Sequence, residues 1–278
     1  MLVIIRGAGD IATGIALRLK RAHLSVVMTE MPAPTAIRRT VAFSEAIVHG
    51  EQTVEDVTAR LATAETAEET LAAGYIPVLV DPEGRSVPKL KPDALVDAIL
   101  AKRNLGTKIT DAPVVIGVGP GFTAGVDCHA VVETMRGHSL GRVIREGSAI
   151  PNTGIPGLIG GFAGERVLRA PAAGLFHPLR DIGDAVTEGE ILATVEGKPI
   201  IATLTGTLRG ILPEGTEVSP GMKAGDIDPR CQRSHCFTAS DKALAVGGGV
   251  LEAILALTGA LRETGIRHTG GEREEDHV

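Results

Sequence analysis

The chain has 278 residues, 44% of them hydrophobic, which is enough for one large domain or two modest ones around a packed core. A net charge of −6 with no Lys/Arg-rich run, and only five Phe, one Tyr and no Trp, speak against a nucleic-acid partner, because backbone charge and base stacking would both go unmet. No window approaches a membrane span, the opening apolar stretch is short for a signal peptide, and three cysteines cannot all pair, so the expected setting is the cytoplasm, away from the membrane.

The apolar run Leu2-Val3-Ile4-Ile5-Arg6 meets Gly7-Ala8-Gly9-Asp10-Ile11-Ala12-Thr13-Gly14 and continues into the apolar-periodic Ile15 to Leu19. This predicts a buried parallel strand, a glycine turn and a helix. Gly7 and Gly9 lack Cβ and admit close backbone approach, and Ala12 takes the third position of the G-x-G-x-x-G/A pattern, next to Thr13. Free N–H groups at the helix start would face a pyrophosphate. Glu30 closes the next apolar run at about the 20-residue interval of a ribose-binding acid. Asp10 opposes this reading, since its carboxylate would compete for the same N–H groups or simply cap the helix.

Met31-Pro32-Ala33-Pro34 cannot continue a central strand and predicts a loop. Arg38 and Arg39 follow, placed either to bind a phosphate or to meet solvent. Val54 to Leu61 and Ala67 to Ala73 have helix-forming composition. Ile76 to Asp81 reads as a strand, and Pro92 to Lys102 as a helix opened by proline. Val114 to Phe122 repeats the opening design, with Gly117, Gly119 and Gly121 in a second glycine turn facing the same crevice. Asp127 to Thr134 and Gly141 to Arg145 are expected to finish the sheet. The glycine and proline density of residues 147 to 165 marks a loop or boundary.

An internal repeat follows. Gly174, Gly183, Val186 and Gly189 recur as Gly206, Gly215, Val218 and Gly221, an offset of 32 residues at every position. Two such β units related by a pseudo-twofold close a small sandwich, similar to biotinyl/lipoyl-type barrel-sandwich domains. Lys198 lies near the carrier position of those domains, but without its flanking motif it reads as a turn residue. Ser240 caps a last helix running to Leu257, in which Gly247-Gly248-Gly249 implies close approach of another helix or of a ligand. Cys231, His235 and Cys236 lack zinc-site spacing.

The segments 5–14, 34–39, 119–122, 129–138, 226–230 and 240–252 together resemble the accessory proteins encoded with selenium-dependent molybdenum hydroxylases, the YqeB type. The Rossmann part is in turn similar to xanthine dehydrogenase accessory proteins. The resemblance implies maturation of a molybdenum hydroxylase partner, with molybdenum cofactor in its pterin dinucleotide form, or NAD(P), as a nucleotide-type ligand. Sulfur or selenium delivery would fall to Cys128 or Cys236, each beside a histidine, with Lys242 also near the ligand. The alternatives are an NAD(P)-dependent oxidoreductase or a non-catalytic scaffold docking the hydroxylase. No constellation spells a catalytic acid and base, so turnover is left open. The expected α/β architecture is a Rossmann-like, mostly parallel sheet domain (1–165), a small all-β barrel-sandwich-like domain (166–232), a helical segment (233–258) packing back on the first domain, and a tail (259–278) disordered at its end. The expected ligand contacts are Gly7, Gly9, Asp10, Ala12, Thr13, Glu30, Arg38, Arg39, Gly117, Gly119 and Gly121, with no metal site.

Overall fold

The computed structural model describes residues 1–154 and 157–260; the expected tail beyond 260 lies outside the described residues. The first half is built from β1 (Leu2–Arg6), α1 (Asp10–Arg21), β2 (Ser25–Glu30), α2 (Glu45–His49), β3 (Glu51–Val54), β4 (Val57–Ala62), α3 (Ala67–Ala72), β5 (Ile76–Val80), α4 (Val87–Leu90), β6 (Ala94–Asp97), β7 (Val114–Val118), β8 (Thr123–Ala124), β9 (Ala130–Val132), β10 (Val143–Ile144) and β11 (Gly147–Ser148). Nine of these strands form one sheet in the order β10-β9-β7-β6-β1-β2-β5-β4-β3. Its interior is parallel, and each edge carries an antiparallel strand, β10 on β9 and β3 on β4.

The sheet buries both faces, but with different material. Val3, Ile5, Met28, Val96 and Ile116 face α1 and the C-terminal helix, which contributes Val246, Val250 and Ile254. Ile4, Val27, Leu95, Val115 and Val131 face Val87, Phe122, Ala124, Cys128 and Ala149, which come from the short helix α4, the short strand β8 and loops.

The second half contains β12 (Val167–Arg169), β13 (Gly174–Pro178), β14 (Ala185–Val186), β15 (Ile191–Val195), β16 (Lys198–Ile201), β17 (Gly206–Ile211), β18 (Glu217–Val218), β19 (Lys223–Asp228) and α5 (Asp241–Thr258). They make two four-stranded sheets, β12-β19-β17-β14 and β16-β15-β13-β18. The two copies of the 32-residue repeat exchange strands: β14 of the first pairs with β17 of the second, and β18 of the second pairs with β13 of the first. Phe176, Leu192, Leu208 and Ile227 form the core between these sheets. Among the described residues no helix is long and apolar enough to cross a membrane.

The fold expectation is corrected here. The architecture is a large mixed sheet with two four-stranded antiparallel sheets and a two-stranded one, β11-β8, instead of a Rossmann-like domain followed by a barrel-sandwich. Two expected crossover helices are strands: residues 54–61 form most of the β3–β4 hairpin, and 92–102 contain β6. Without them only one face of the sheet carries long helices.

The glycines of α5 serve helix packing. A Cβ on Gly247 would lie 2.8 Å from the Gly14 carbonyl oxygen of α1, and one on Gly14 would lie 2.5 Å from the Ala243 Cβ. The chain between Pro34 and Arg38 straps the two halves together, since the Ile211 N–H of β17 donates to the Ile37 carbonyl at 2.9 Å.

Candidate anion-binding cleft

A cleft of about 940 Å³ opens between the loops at the carboxyl ends of the parallel strands and the sheet formed by β12, β19 and β17. Strand carboxyl ends are where open α/β sheets present their loops to ligands. Its charged lining is lopsided: Arg38, Arg136, Arg166, Arg169, Arg209, Lys102, Lys223 and Lys242 against Asp10 and Asp226. Eight cations face two carboxylates in a chain whose net charge is −6. The apolar share comes from Ile11, Pro120, Met135, Ile150, Leu158, Ile159 and Val167.

The floor is made of buried guanidinium groups. The side chains of Arg38, Arg166 and Arg209 are only 8%, 6% and 7% exposed. Arg166 Nη1 lies 3.2 Å from Asp226, and Arg209 Nη1 lies 3.9 Å from Asp226 and 3.8 Å from Asp228. Arg230 takes Asp228 more closely, donating from Nε and Nη2 at 2.9 and 2.6 Å. Arg38 donates to the carbonyls of His235 and Thr238 at 2.9 and 3.2 Å and reaches Asp10 at 3.4 Å. The Nε atoms of Arg38, Arg166 and Arg209 are all buried without a hydrogen-bond partner among the described residues. Burial and the neighbouring Arg38 charge push the Arg209 pKa down, so negative charge supplied from outside would relieve this floor.

At the rim, α5 begins where Ser240 Oγ accepts the Ala243 N–H at 3.1 Å. Asp241 is gripped in bidentate fashion by Arg136 at 2.6 and 2.8 Å, which holds its carboxyl far below the usual range. Lys242 is the next residue and faces the cleft. Burial, then the charge of Lys102, push its amine pKa down, while Asp10 opposes the shift.

Asp10, Arg38 and Lys242 line this cleft. Most of the other residues expected at the ligand serve packing. Arg39 donates to the Ile211 carbonyl at 3.0 Å, and Thr13 accepts the Phe43 N–H at 2.8 Å. Ala12 is buried in the core. Gly7 is required by the Ala98 carbonyl, 2.8 Å from where a Cβ would stand, Gly117 by the Phe122 ring, Gly119 by Thr134 and Gly121 by the Arg103 backbone. Gly9 has open space where a Cβ would be.

Two of the N–H donors expected to face a pyrophosphate are already taken. Glu30 Oε2 accepts the Ala8 N–H at 2.9 Å, and Asp10 Oδ1 accepts that of Ile11 at the same distance. The reactive-thiol expectation also changes, because Cys128 and Cys236 are buried outside the cleft. Burial pushes Cys128 up to about 11 and raises Cys236 as well. Cys231 is exposed, unlike the two buried cysteines. Arg166, Arg169, Arg209, Lys102 and Lys223 were not singled out by the sequence, and Asp226 entered only through the 226–230 segment of the resemblance. The one local signal is Arg209, a lone charge in the otherwise uncharged strand Gly206–Ile211, every residue of which is buried.

No family model matches the chain. It is related to the Escherichia coli K12 protein named uncharacterized protein YqeB, with 55% identity over 257 residues, which cover 92% of this chain and 48% of that protein. The chain thus spans about half the length of the curated relative it matches. The similar solved structures include an aspartoacylase family protein from Mesorhizobium loti (11% identity, 81% and 84% of the two chains, TM-score 0.27). A succinylglutamate desuccinylase from a Silicibacter species matches at 13% identity over 81% and 84%, TM-score 0.27, and a succinylglutamate desuccinylase/aspartoacylase from Rhodobacter sphaeroides at 15% over 80% and 86%, TM-score 0.25. At these scores the likeness assigns no activity to this chain.

The YqeB resemblance therefore holds, but the role implied with it does not. The relative's name gives no molybdenum hydroxylase function, and carboxylates already take two of the turn's N–H donors. Molybdenum hydroxylase maturation, sulfur or selenium delivery, hydroxylase docking, NAD(P)-dependent oxidoreduction, and molybdenum cofactor or NAD(P) as ligand are set aside.

Proposed function

We propose that the chain binds a small molecule carrying two or more negative charges, phosphate or carboxylate, in this cleft. The observation that carries the reading is the excess of eight cationic over two anionic side chains around one concavity. Ligand pockets commonly enclose roughly 300–1,000 Å³, so the volume suits a metabolite-sized molecule better than a macromolecule. Arginine suits this task because its planar donors match carboxylate and phosphate oxygens. The apolar residues at the cleft wall would face the uncharged part of the ligand.

Titration calorimetry of the full chain with inorganic pyrophosphate and with tricarballylate tests the reading. Saturable binding of at least one, weakening as sodium chloride is raised, is the expected result. Absence of saturable binding and of any thermal stabilisation by either would overturn it.

A further inference from the structure

Lys242 differs from the other cations of the cleft in what surrounds it. Both neighbouring carboxylates are committed elsewhere, Asp241 to Arg136 and Asp10 to Arg38 and the Ile11 N–H. The Lys242 amine makes no hydrogen bond or ion pair among the described residues, although it is half-buried and lines the cleft. Its backbone is held firmly. Ser240 caps the helix start, and the adjacent Ala243 is 1% exposed, packed against Gly14 of α1. Lys102 also lines the cleft, but it is exposed and sits in a loop at φ 64°, without comparable fixation.

A lysine kept for charge alone gains most from a carboxylate partner. This one is instead set at the positive end of an 18-residue helix, beside Lys102, Arg136 and Lys223, with Asp10 as the opposing charge. Those are the surroundings that favour an uncharged, nucleophilic amine, and burial lowers its pKa in the same direction. The guanidinium floor would hold the anionic group of a ligand while another part of it met this nitrogen.

We propose that Lys242 is an imine-forming amine, and that the ligand is an anion that also carries an aldehyde or ketone, such as a 2-oxo acid or a phosphorylated carbonyl compound. This rests on the polyanion reading above. In the step, the Nζ lone pair adds to the carbonyl carbon, the carbonyl oxygen leaves as water with the two protons of the amine, and a C=N bond remains. The step needs no oxidant or reductant.

Trapping with an anionic aldehyde tests it. The full chain is incubated near neutral pH with equimolar pyridoxal 5′-phosphate as probe, reduced with sodium borohydride and mapped by peptide mass spectrometry. Lys242 lines the cleft half-buried where Lys102 and Lys223 are exposed, so it is expected to carry severalfold more adduct than Lys102, Lys223 or Lys20. Excess pyrophosphate should suppress that adduct. Lys242→Arg should abolish it without moving the adduct to Lys102 or Lys223. Adduct spread evenly over the lysines, or concentrated on Lys102, together with intact pyrophosphate binding, would overturn the inference and leave the polyanion reading standing. Absence of pyrophosphate and tricarballylate binding to the unmodified chain would instead remove that reading, and the inference with it.

Discussion

Arg209 stands 3.8 Å from the fully buried Asp228 without hydrogen-bonding to it, because Arg230 holds both oxygens of that carboxylate. The same happens at Asp226, where Arg166 is closer, at 3.2 Å against 3.9 Å. Arg209 is thus a buried charge whose two nearest acids are satisfied by other residues. Its guanidinium therefore has no acid of its own to hydrogen-bond, which leaves it free to meet an incoming anion.

Replacing Arg209 by Met should therefore separate binding from stability. A charge-assisted hydrogen bond contributes about 1.5–3 kcal/mol, so the affinity for pyrophosphate should fall by roughly 10- to 100-fold. Both acids keep an arginine partner, so the melting temperature should drop by only a few degrees. Calorimetry and thermal unfolding of the same preparation measure both quantities.

Asp228 gives the floor a definite acid limit. Burial alone would raise its pKa, but the hydrogen bonds from Arg230 and the charges of Arg230 and Arg209 outweigh it and hold the group at about 2. A depressed carboxyl pKa stabilises the fold fully above the ordinary carboxylate range, and the contribution is lost as pH falls through the folded value. The gain, about 2 kcal/mol, should disappear between roughly pH 4 and pH 2. Unfolding curves of the wild type and Asp228→Asn should accordingly converge over that window and stay apart at neutral pH.

The foot of α5 should be intolerant of bulk. A Cβ on Gly14 would meet the Ala243 Cβ at 2.5 Å and its backbone at 2.8 Å, whereas one on Gly248 meets nothing within 4 Å. Gly14→Ala should cost about 1–3 kcal/mol through overpacking. Gly248→Ala should be neutral, or stabilise by up to about 1 kcal/mol, because alanine is the better helix former. Chemical denaturation of the two variants checks the contrast.

The parts of the fold that were legible in the sequence are those fixed locally. Leu2–Arg6 carries the β-branched run Val3-Ile4-Ile5 and is followed by Gly7, and Ser240 carries a hydroxyl in capping position, so β1, α1 and the start of α5 could be read directly. The repeat was visible because five of its six glycines take positive φ, where other residues are strained. Residues 94–97 escaped because a short apolar run buried on both faces reads equally as helix or strand. Val54 to Leu61 became a hairpin through pairing with β5, which its composition does not announce. The floor of the cleft was illegible for a related reason. Arg166 ends the turn before β12, Arg209 lies on β17 and Asp226 on β19, so they meet only when these strands pair, whereas Asp10, Arg38 and Lys242 sit beside recognisable turns or caps.

The three thiols should react in an order opposite to one based on neighbouring histidines. Cys231 is exposed, Cys128 and Cys236 are buried, and burial pushes Cys128 up to about 11. Iodoacetamide near neutral pH should label Cys231 first, with the other two protected until denaturant is added. Peptide mass spectrometry over a time course reads the order.

Whether anions occupy the cleft is seen by diffraction from crystals soaked in sodium selenate, whose selenium can be located by anomalous scattering. The expected result is a peak among Arg38, Arg166 and Arg209 that is lost when pyrophosphate is added in excess. Peaks confined to the outer surface, with the cleft empty at the same selenate concentration, would contradict the account.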